Sequence, residues 1–432
     1  MVHHSDARRA ELVDYLTVML QRYRLAIAMV LLLLVACAPT VTSSPPPSAT
    51  SAAPTTVPAV ASPTSSSGAR PAPGGEITAY EPLTEIVGWV GLRDDLGASL
   101  AKTTDGGQTW QRTGPAYVPG IRSLEELRFV DERRGFAIAL AARGTFPPSI
   151  VLTTDDGGQS WTERLAIDPP DGRAGTVRDL VAVDDRHAWV VTTPGPCDPA
   201  GCVTELRATA DAGATWSTTY RPNGAVLVNA TFADISRGWL TESFAVRRGA
   251  DLLLTSDGGR SWQTSIGPDR LAPPEDFLAI SGPTPRDVWA LTFDAVSCIG
   301  RACSRYALRS SHDGGLTWST LHTLDEGASW WAKTDCGGPL GGPTFLDAMH
   351  GLIPLGQRAG GSSDGPGTVL FTEDGGRTFR CVRVTADKTS MTVRFANARI
   401  GWALATAVDL KRSLYRTIDG GLTWHVLSPP SR

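Results

Sequence analysis

The chain has 432 residues and a formal net charge of −4, from 40 Lys and Arg against 44 Asp and Glu. Its basic residues are dispersed, so it lacks the electrostatic footprint of a nucleic-acid binder or of a protein that docks on a strongly anionic surface. The roughly 350 residues that follow the N-terminal leader are ample for one large domain and too few for a second of comparable size.

The leader comes first. Arg22 and Arg24 precede an apolar run, Leu25 to Val35, which is too short to span a bilayer and has the dimensions of a signal-peptide core. It ends in Leu34-Val-Ala-Cys37, which resembles a bacterial lipobox. The resemblance implies that residues 1–37 are a signal peptide, that Cys37 is lipidated, and that the mature protein is extracytoplasmic and held to the bacterial cell membrane by its lipid. The alternatives are a plain anchoring helix or an ordinary buried cysteine. Residues before Met19 form an unusual extension, and Met19 is a second possible start. Residues 38–75 are rich in Pro, Ser, Thr and Ala with almost no apolar bulk, a composition that cannot bury enough surface to fold and reads as a tether.

From residue 76 to 430 two marks alternate. The first is an apolar strand, a polar turn, then a small residue and an aromatic. The second is an octapeptide of the form [S/T]-x-D-x-G-x-[S/T]-[W/F]. In chain order they read Gly88-Trp89 then Thr103–Trp110; Phe129-Val-Asp131 into Gly135-Phe136 then Thr154–Trp161; Ala188-Trp189 then Thr209–Trp216; and Phe232-Ala-Asp234 into Gly238-Trp239 then Thr255–Trp262. Three more follow: Val288-Trp289 then Ser311–Trp318; Phe345-Leu-Asp347 into Gly351-Leu352 then Thr372–Phe379; and Phe395-Ala-Asn397 into Gly401-Trp402 then Thr417–Trp424. The octapeptides end at 110, 161, 216, 262, 318, 379 and 424, a spacing that suits one four-stranded blade plus variable loops. Alternating segments between the marks, such as Asp251-Leu-Leu-Leu254 and Thr368-Val-Leu-Phe371, read as strands with one face buried. The predicted fold is all-β, a seven-bladed β-propeller of four-stranded antiparallel blades.

In each octapeptide the chemistry is that of a hairpin clasp. Asp105, Asp156, Asp211, Asp257, Asp313, Asp374 and Asp419 can each accept bonds from the amides of their own turn, and the glycines tolerate the positive φ the turn demands. The aromatic is expected to fold back between blades, where full burial contributes roughly 3 kcal/mol. These aspartates are expected to be buried and structural. A calcium role is disfavoured because each turn offers one carboxylate where the ion needs several oxygens.

The octapeptides resemble the Asp-box, or bacterial neuraminidase repeat, of sialidases, sortilin-type receptors, xyloglucanases and the photosystem II assembly and stability factor family. The combined pattern in seven copies looks most like the last of these, whose members are seven-bladed propellers. In those families the box is a fold element away from the active site, so the resemblance speaks for fold more than for function.

Six cysteines lie beyond Cys37. Cys197 with Cys202, and Cys298 with Cys303, form local pairs at the same place in their modules, between the tryptophan strand and the box strand. The four-residue gap favours disulfide-clamped hairpins over zinc, whose paired ligands are normally two residues apart. Cys336 and Cys381 flank the sixth module and are left to pair by elimination, which sequence alone does not prove. Arg128 and Arg394 precede the phenylalanines of two inner strands, but Val181, Thr231 and Thr344 stand at equivalent positions, so the arginines read as solvated surface residues.

The departures from the repeat are the candidate binding surface: Trp330 and Trp331 lie in a Gly-rich connection between the fifth and sixth modules. No Arg-Ile-Pro motif or Tyr–Glu nucleophile pair of a sialidase is evident, and a single propeller lacks the two-domain cleft of xyloglucanases. The seven histidines show no metal-ligand spacing. The expectation is a monomeric, non-enzymatic binding or assembly scaffold with no cofactor or metal, whose partner is an envelope protein or a glycan. The alternative is a glycan-active hydrolase, sialidase-like, or a lectin.

Overall fold

A computed structural model describes residues 75–429 apart from 145–146, 168–174, 195–202, 245–249, 267–275, 299–300, 326–340, 356–365 and 408. Blade one comprises β1 (Glu76–Pro82), β2 (Gly88–Asp94), β3 (Gly97–Thr103) and β4 (Gln111–Thr113). Blade two has β5 (Ile121–Phe129), β6 (Gly135–Ala141), β7 (Ser149–Thr154) and β8 (Thr162–Ala166), and blade three β9 (Thr176–Ala182), β10 (Ala188–Thr193), β11 (Glu205–Thr209) and β12 (Ser217–Tyr220). Blade four has β13 (Val226–Phe232), β14 (Gly238–Ser243), β15 (Ala250–Thr255) and β16 (Gln263–Ile266), and blade five β17 (Asp276–Ser281), β18 (Val288–Cys298), β19 (Arg301–Ser311) and β20 (Ser319–Asp325). Then come β21 (Thr344–Phe345), β22 (Gly351–Leu355), β23 (Pro366–Thr372), β24 (Arg380–Phe395), β25 (Gly401–Ala407), β26 (Arg412–Thr417) and β27 (His425–Leu427). β24 serves two blades: residues 380–388 pair with β23 as the outer strand of blade six, and 389–395 pair with β25 as the inner strand of blade seven. The seven four-stranded antiparallel blades of the sequence reading are all present.

Each strand's composition follows from its place. The second strand of a blade is sandwiched by both neighbouring blades, so β2, β6, β10, β14, β22 and β25 are buried almost throughout and are mainly apolar, with buried polar exceptions such as Thr192, Thr241 and Glu242. Outer strands such as β4, β8 and β12 lie at the rim, are mostly exposed and are polar.

Neighbouring blades are joined by a repeated aromatic contact. The strand-two tryptophan of one blade stacks on the inner-strand phenylalanine of the next: Trp89 on Phe129 with centroids 3.8 Å apart, Trp189 on Phe232 at 3.8 Å, and Trp289 on Phe345 at 3.9 Å. The indole then donates to the first glycine carbonyl of the next blade's box, Trp89 Nε1 to Gly157 O at 3.2 Å, Trp189 to Gly258 O, Trp239 to Gly314 O and Trp289 to Gly375 O each at 3.0 Å. Apolar burial and one directed bond thus fix each blade's rotation against its neighbour.

The polar turn ahead of each strand two is also explained. Thr84, Asp131, Asp184, Asp234, Thr284, Asp347 and Asn397 occupy equivalent positions, and each side-chain oxygen accepts from the amides two and three residues on. This is an Asx or Ser/Thr turn, which closes the reversal without other help. The box of the same blade donates a backbone N–H to this turn, as in Gly157 to Arg133 O at 2.7 Å and Gly375 to Met349 O at 2.8 Å. Turns and boxes therefore share one face of the ring. The connections between second and third strands, and from one blade to the next, emerge on the opposite face.

Candidate functional site

All seven boxes have one geometry. In the fourth, Thr255 Oγ1 donates to Asp257 Oδ1 at 2.8 Å and accepts from Gly259 N at 2.9 Å, while Asp257 Oδ1 accepts from Ser261 N at 2.8 Å and Oδ2 from Ser261 Oγ at 2.6 Å. Asp105, Asp156, Asp211, Asp313, Asp374 and Asp419 are held in the same way. The glycine pair is required by the backbone: Gly258 has φ +75° and Gly259 +89°, and the third box keeps this turn with Ala212 at φ 60°. Hydrogen bonds from Ser261 and the turn lower the Asp257 carboxyl to about 2. Two expectations need correction. The box aspartates and tryptophans are half-buried, because the box sits at the rim of one face. The fully buried rings are those of the second strands, with Trp89, Trp239 and Trp289 at 0% exposure.

Because Thr255 is buried while Asp257 is not, the larger loss should come from the hydroxyl. Thr255→Val leaves the Gly259 N–H without an acceptor and is expected to lower stability by about 1–3 kcal/mol, more than Asp257→Ala. Denaturant midpoints of the two variants check this order.

At the axis the repeat breaks. The residue opposite the strand-two marker is Glu81, Arg128, Val181, Thr231, Ser281, Thr344 and Arg394 in blades one to seven. Blades three to six place neutral side chains there, while seven, one and two place charges. Arg394 donates from Nη1 to Glu81 Oε2 and from Nη2 to Glu126 Oε1, both at 3.0 Å. Arg128 reaches Glu126 at 2.6 Å and Glu81 at 3.6 Å. The four side chains form a closed ring of alternating charge, only 14–26% exposed. Solvated surface arginine is thus overturned for Arg128 and Arg394, which spend their donors on carboxylates and on Leu127 O. Burial pushes the Glu81 carboxyl above its ordinary range, with Arg394 pulling against it. Beside the ring Leu180 N donates to Glu126 Oε2 at 3.3 Å, and Asp179, at φ 54°, pairs with Arg178 at 2.8 Å. Burial raises the Asp179 carboxyl to about 6.

A second constellation lies between blades three and four. Tyr220 on β12 donates its hydroxyl to Glu242 on β14, and Asp251 stands directly opposite Glu242 in the β14–β15 register. Burial first, then Glu242 and Asp251, hold the phenol protonated far above its usual range. Sequence reading found no Tyr–Glu pair because these residues belong to different blades and carry no local motif.

Of the other sequence-derived sites, Cys37, Cys197, Cys202, Trp330, Trp331 and Cys336 lie outside the described residues. Cys381 is disulfide-bonded. The backbone register sets Cys298 opposite Arg301 and Cys303 opposite Val296, a diagonal relation on one hairpin. Three histidines turn Nδ1 to a carboxylate, His187 to Asp184 and His350 to Asp347 at 2.9 Å and His312 to Asp287 at 2.8 Å. Among the described residues no three His, Cys, Asp or Glu side chains group as metal ligands.

No family model and no curated protein matches the chain. Solved structures do. YCF48 from Cyanidioschyzon merolae is similar at 15% identity over 78% of this chain and 94% of its own, with a TM-score of 0.49. A structure of YCF48 bound to D1 peptide aligns at 15% identity over 73% and 86%, TM-score 0.44. Oligogalacturonate lyase from Vibrio parahaemolyticus aligns at 9% identity over 80% and 90%, TM-score 0.53. The last of these, at 9% identity, speaks for the fold alone.

Proposed function

We propose that this protein is a lipid-anchored, extracytoplasmic propeller that binds or assembles envelope partners without catalysing a reaction. The observation that carries the reading is where the blades differ. On the box face every connection is a tight, internally bonded turn of one of two repeated designs, the Asx or Ser/Thr turn and the box. On the opposite face the connections between second and third strands run from Asp95–Leu96 in blade one to residues 194–204 in blade three, and the blade-five hairpin is drawn out into strands Val288–Cys298 and Arg301–Ser311. A rigid ring whose connections vary in length on one face only is built as a display scaffold, and recognition falls on the displayed loops. The axial charges are engaged with one another.

A photo-crosslinking amino acid at exposed Leu96 on the loop face, compared with one at exposed Leu316 in a box, tests this in native membranes. Partner capture from Leu96 alone is expected. Capture from Leu316 alone would overturn the assignment of the face. For the anchor, Cys37→Ser is expected to abolish labelling by a fatty-acid probe and shift the protein from the membrane fraction, since a tether without acyl chains has no stable membrane affinity. Equal labelling of both proteins would sink the anchor.

One contact favours a second reading, the glycan-active hydrolase. Tyr220 with Glu242 as its base and Asp251 alongside has the groups that a tyrosine-nucleophile glycosidase uses. Turnover on a glycoside panel that disappears in both Tyr220→Phe and Glu242→Gln would establish it in place of the scaffold.

A further inference from the structure

Six of the seven seams between blades are bridged by the chain itself, which passes from one blade into the next. The seventh, between blades seven and one, has no covalent link and no exchanged strand among the described residues: β1 to β4 complete blade one from one end of the propeller sequence, and β25 to β27, with the second half of β24, complete blade seven from the other. The tryptophan clasp is absent there too, as it is at the seams after blades two and six, where Phe136 and Leu352 stand at the marker and have no indole to donate. Trp402 is 1% exposed and its neighbour across the seam is the first box, yet its Nε1 has no acceptor. The guanidinium of Arg416, directly opposite Trp402 in the β25–β26 register, packs on Gly106 so closely that a Cβ there would meet Nη1 at 2.6 Å.

Arginines take the clasp's place. Three from blade seven reach blade one at three heights along β1 and its turn. Arg412 Nη1 donates to Ile77 O at 3.0 Å with its Nε 3.4 Å from Glu76, Arg394 donates to Glu81 at 3.0 Å, and Arg416 Nη2 donates to Glu85 O at 2.6 Å. Arg394 continues into blade two through Glu126 and Leu127 O, and Tyr80 donates to Thr392 Oγ1 at 3.1 Å beside it. The axial ionic ring is thus the inner end of a longer ladder.

We propose that the propeller opens at the seam between blades seven and one, with the Arg394, Arg412 and Arg416 ladder as its latch. Opening any other seam separates blades that stay tethered by the chain, from the shared strand β24 between blades six and seven to residues 326–343 between blades five and six. Opening this one separates the first and last blades and parts the ladder, the Tyr80–Thr392 bond and the apolar contact of Val90, Leu92, Trp402, Leu404 and Leu414. The Arg412–Glu76 pair, about a third exposed, is screened by salt and the more buried Arg394–Glu81 pair less so, whereas the stacks Trp89–Phe129, Trp189–Phe232 and Trp289–Phe345 at other seams are strengthened by it or unaffected. Exposed ion pairs also cross the seams after blades one and two, Lys102 with Glu132 and Arg134 with Asp185, but those blades stay joined by the chain, so salt should open the seam between blades seven and one most, with blades three and four as the reference. The segment before β1 joins the latch strand directly, so whatever holds that segment acts on the seam first.

Hydrogen-exchange mass spectrometry on the full-length chain in detergent, at low and high sodium chloride, tests the latch. The expected result is that amides of β1 to β4 and β25 to β27 exchange several-fold faster at high salt and in step with one another, while β9 to β16 are unchanged. Arg412→Gln and Arg416→Gln should each reproduce this pattern at low salt, and Arg416→Lys should restore part of the protection. If Arg394→Gln fails to fold, the wild-type salt series and the two outer variants still decide. Uniform acceleration over all blades, or β9 to β16 opening as readily as β1 to β4, would overturn the proposal.

Discussion

Replacing Trp239 with alanine is expected to lower the stability of the propeller by about 3–5 kcal/mol, the loss found when a core aromatic is truncated. The ring is 0% exposed and packs with Leu252, Leu254, Ile266, Val288 and Ala290 between blades four and five. It also lies so close to blade five that a Cβ on Gly282 would meet it at 2.3 Å. Truncation leaves a cavity that two rigid sheets cannot close, and it orphans the Gly314 carbonyl that its indole N–H reaches at 3.0 Å. Trp239→Phe keeps most of the apolar contact and loses the bond, so about 1–2 kcal/mol is expected there. Trp262, in the box, is half-buried and donates only to Gly259 O of its own turn at 3.1 Å, so Trp262→Ala should cost less than Trp239→Ala. Denaturant midpoints of the three variants give the order directly. Equal losses at 239 and 262 would mean that the box ring, not the second-strand ring, locks the blades.

What the sequence could say about this fold depended on the range of the interactions. The box is legible because its bonds close within a few residues: Thr255, Asp257, Gly259 and Ser261 satisfy one another, so the pattern is written in one octapeptide. The Asx turns at Asp131, Asp234 and Asp347 are legible for the same reason. Register then follows, since two marks per blade leave one way to align four strands. Burial is not legible where it depends on which face of the ring a residue occupies, as with the box tryptophans. The ionic ring was missed because the fate of Arg394 is decided by Glu81 and Glu126, from the far end of the sequence, and Glu81 lacks the phenylalanine that marks Arg128 and Arg394. Tyr220 and Glu242 were missed likewise, since no local pattern ties β12 to β14. Nothing periodic could have supplied these pairs, for they are the places where the blades cease to be alike.

Acidification should unfold the propeller over a narrow range, between about pH 4 and about pH 2, and the boxes are the reason. Hydrogen bonds from Thr109, Thr215 and Ser261 to their own aspartates hold Asp105, Asp211 and Asp257 at about 2, and Asp313 lies lower still. At Asp374 burial pulls upward, but the bonds from Thr378 and Thr372 outweigh it and leave about 2, while Asp156 and Asp419 are lowered by the same balance. The turn carboxylates Asp131, Asp184 and Asp347 are also lowered, their backbone amide bonds overcoming burial. An unfolded chain titrates its aspartates near 3.9. Above that value both states are ionised and the boxes contribute fully. As pH falls through it the unfolded chain takes up protons first, so stability drops until the folded carboxylates protonate near pH 2. Asp179, raised to about 6 by burial, acts in the opposite sense: its folded state binds the proton more tightly, so stability declines as pH rises from about 4 through 6, and Glu81 adds to that decline. The thermal midpoint should therefore peak near pH 4–5, fall gently toward neutrality and collapse below pH 4. Asp105→Asn combined with Asp257→Asn, which removes two of the carboxylates that release protons on folding, should lower the plateau and flatten the acid limb. A midpoint that stays level down to pH 2 would show that the box carboxylates are not held as this geometry requires.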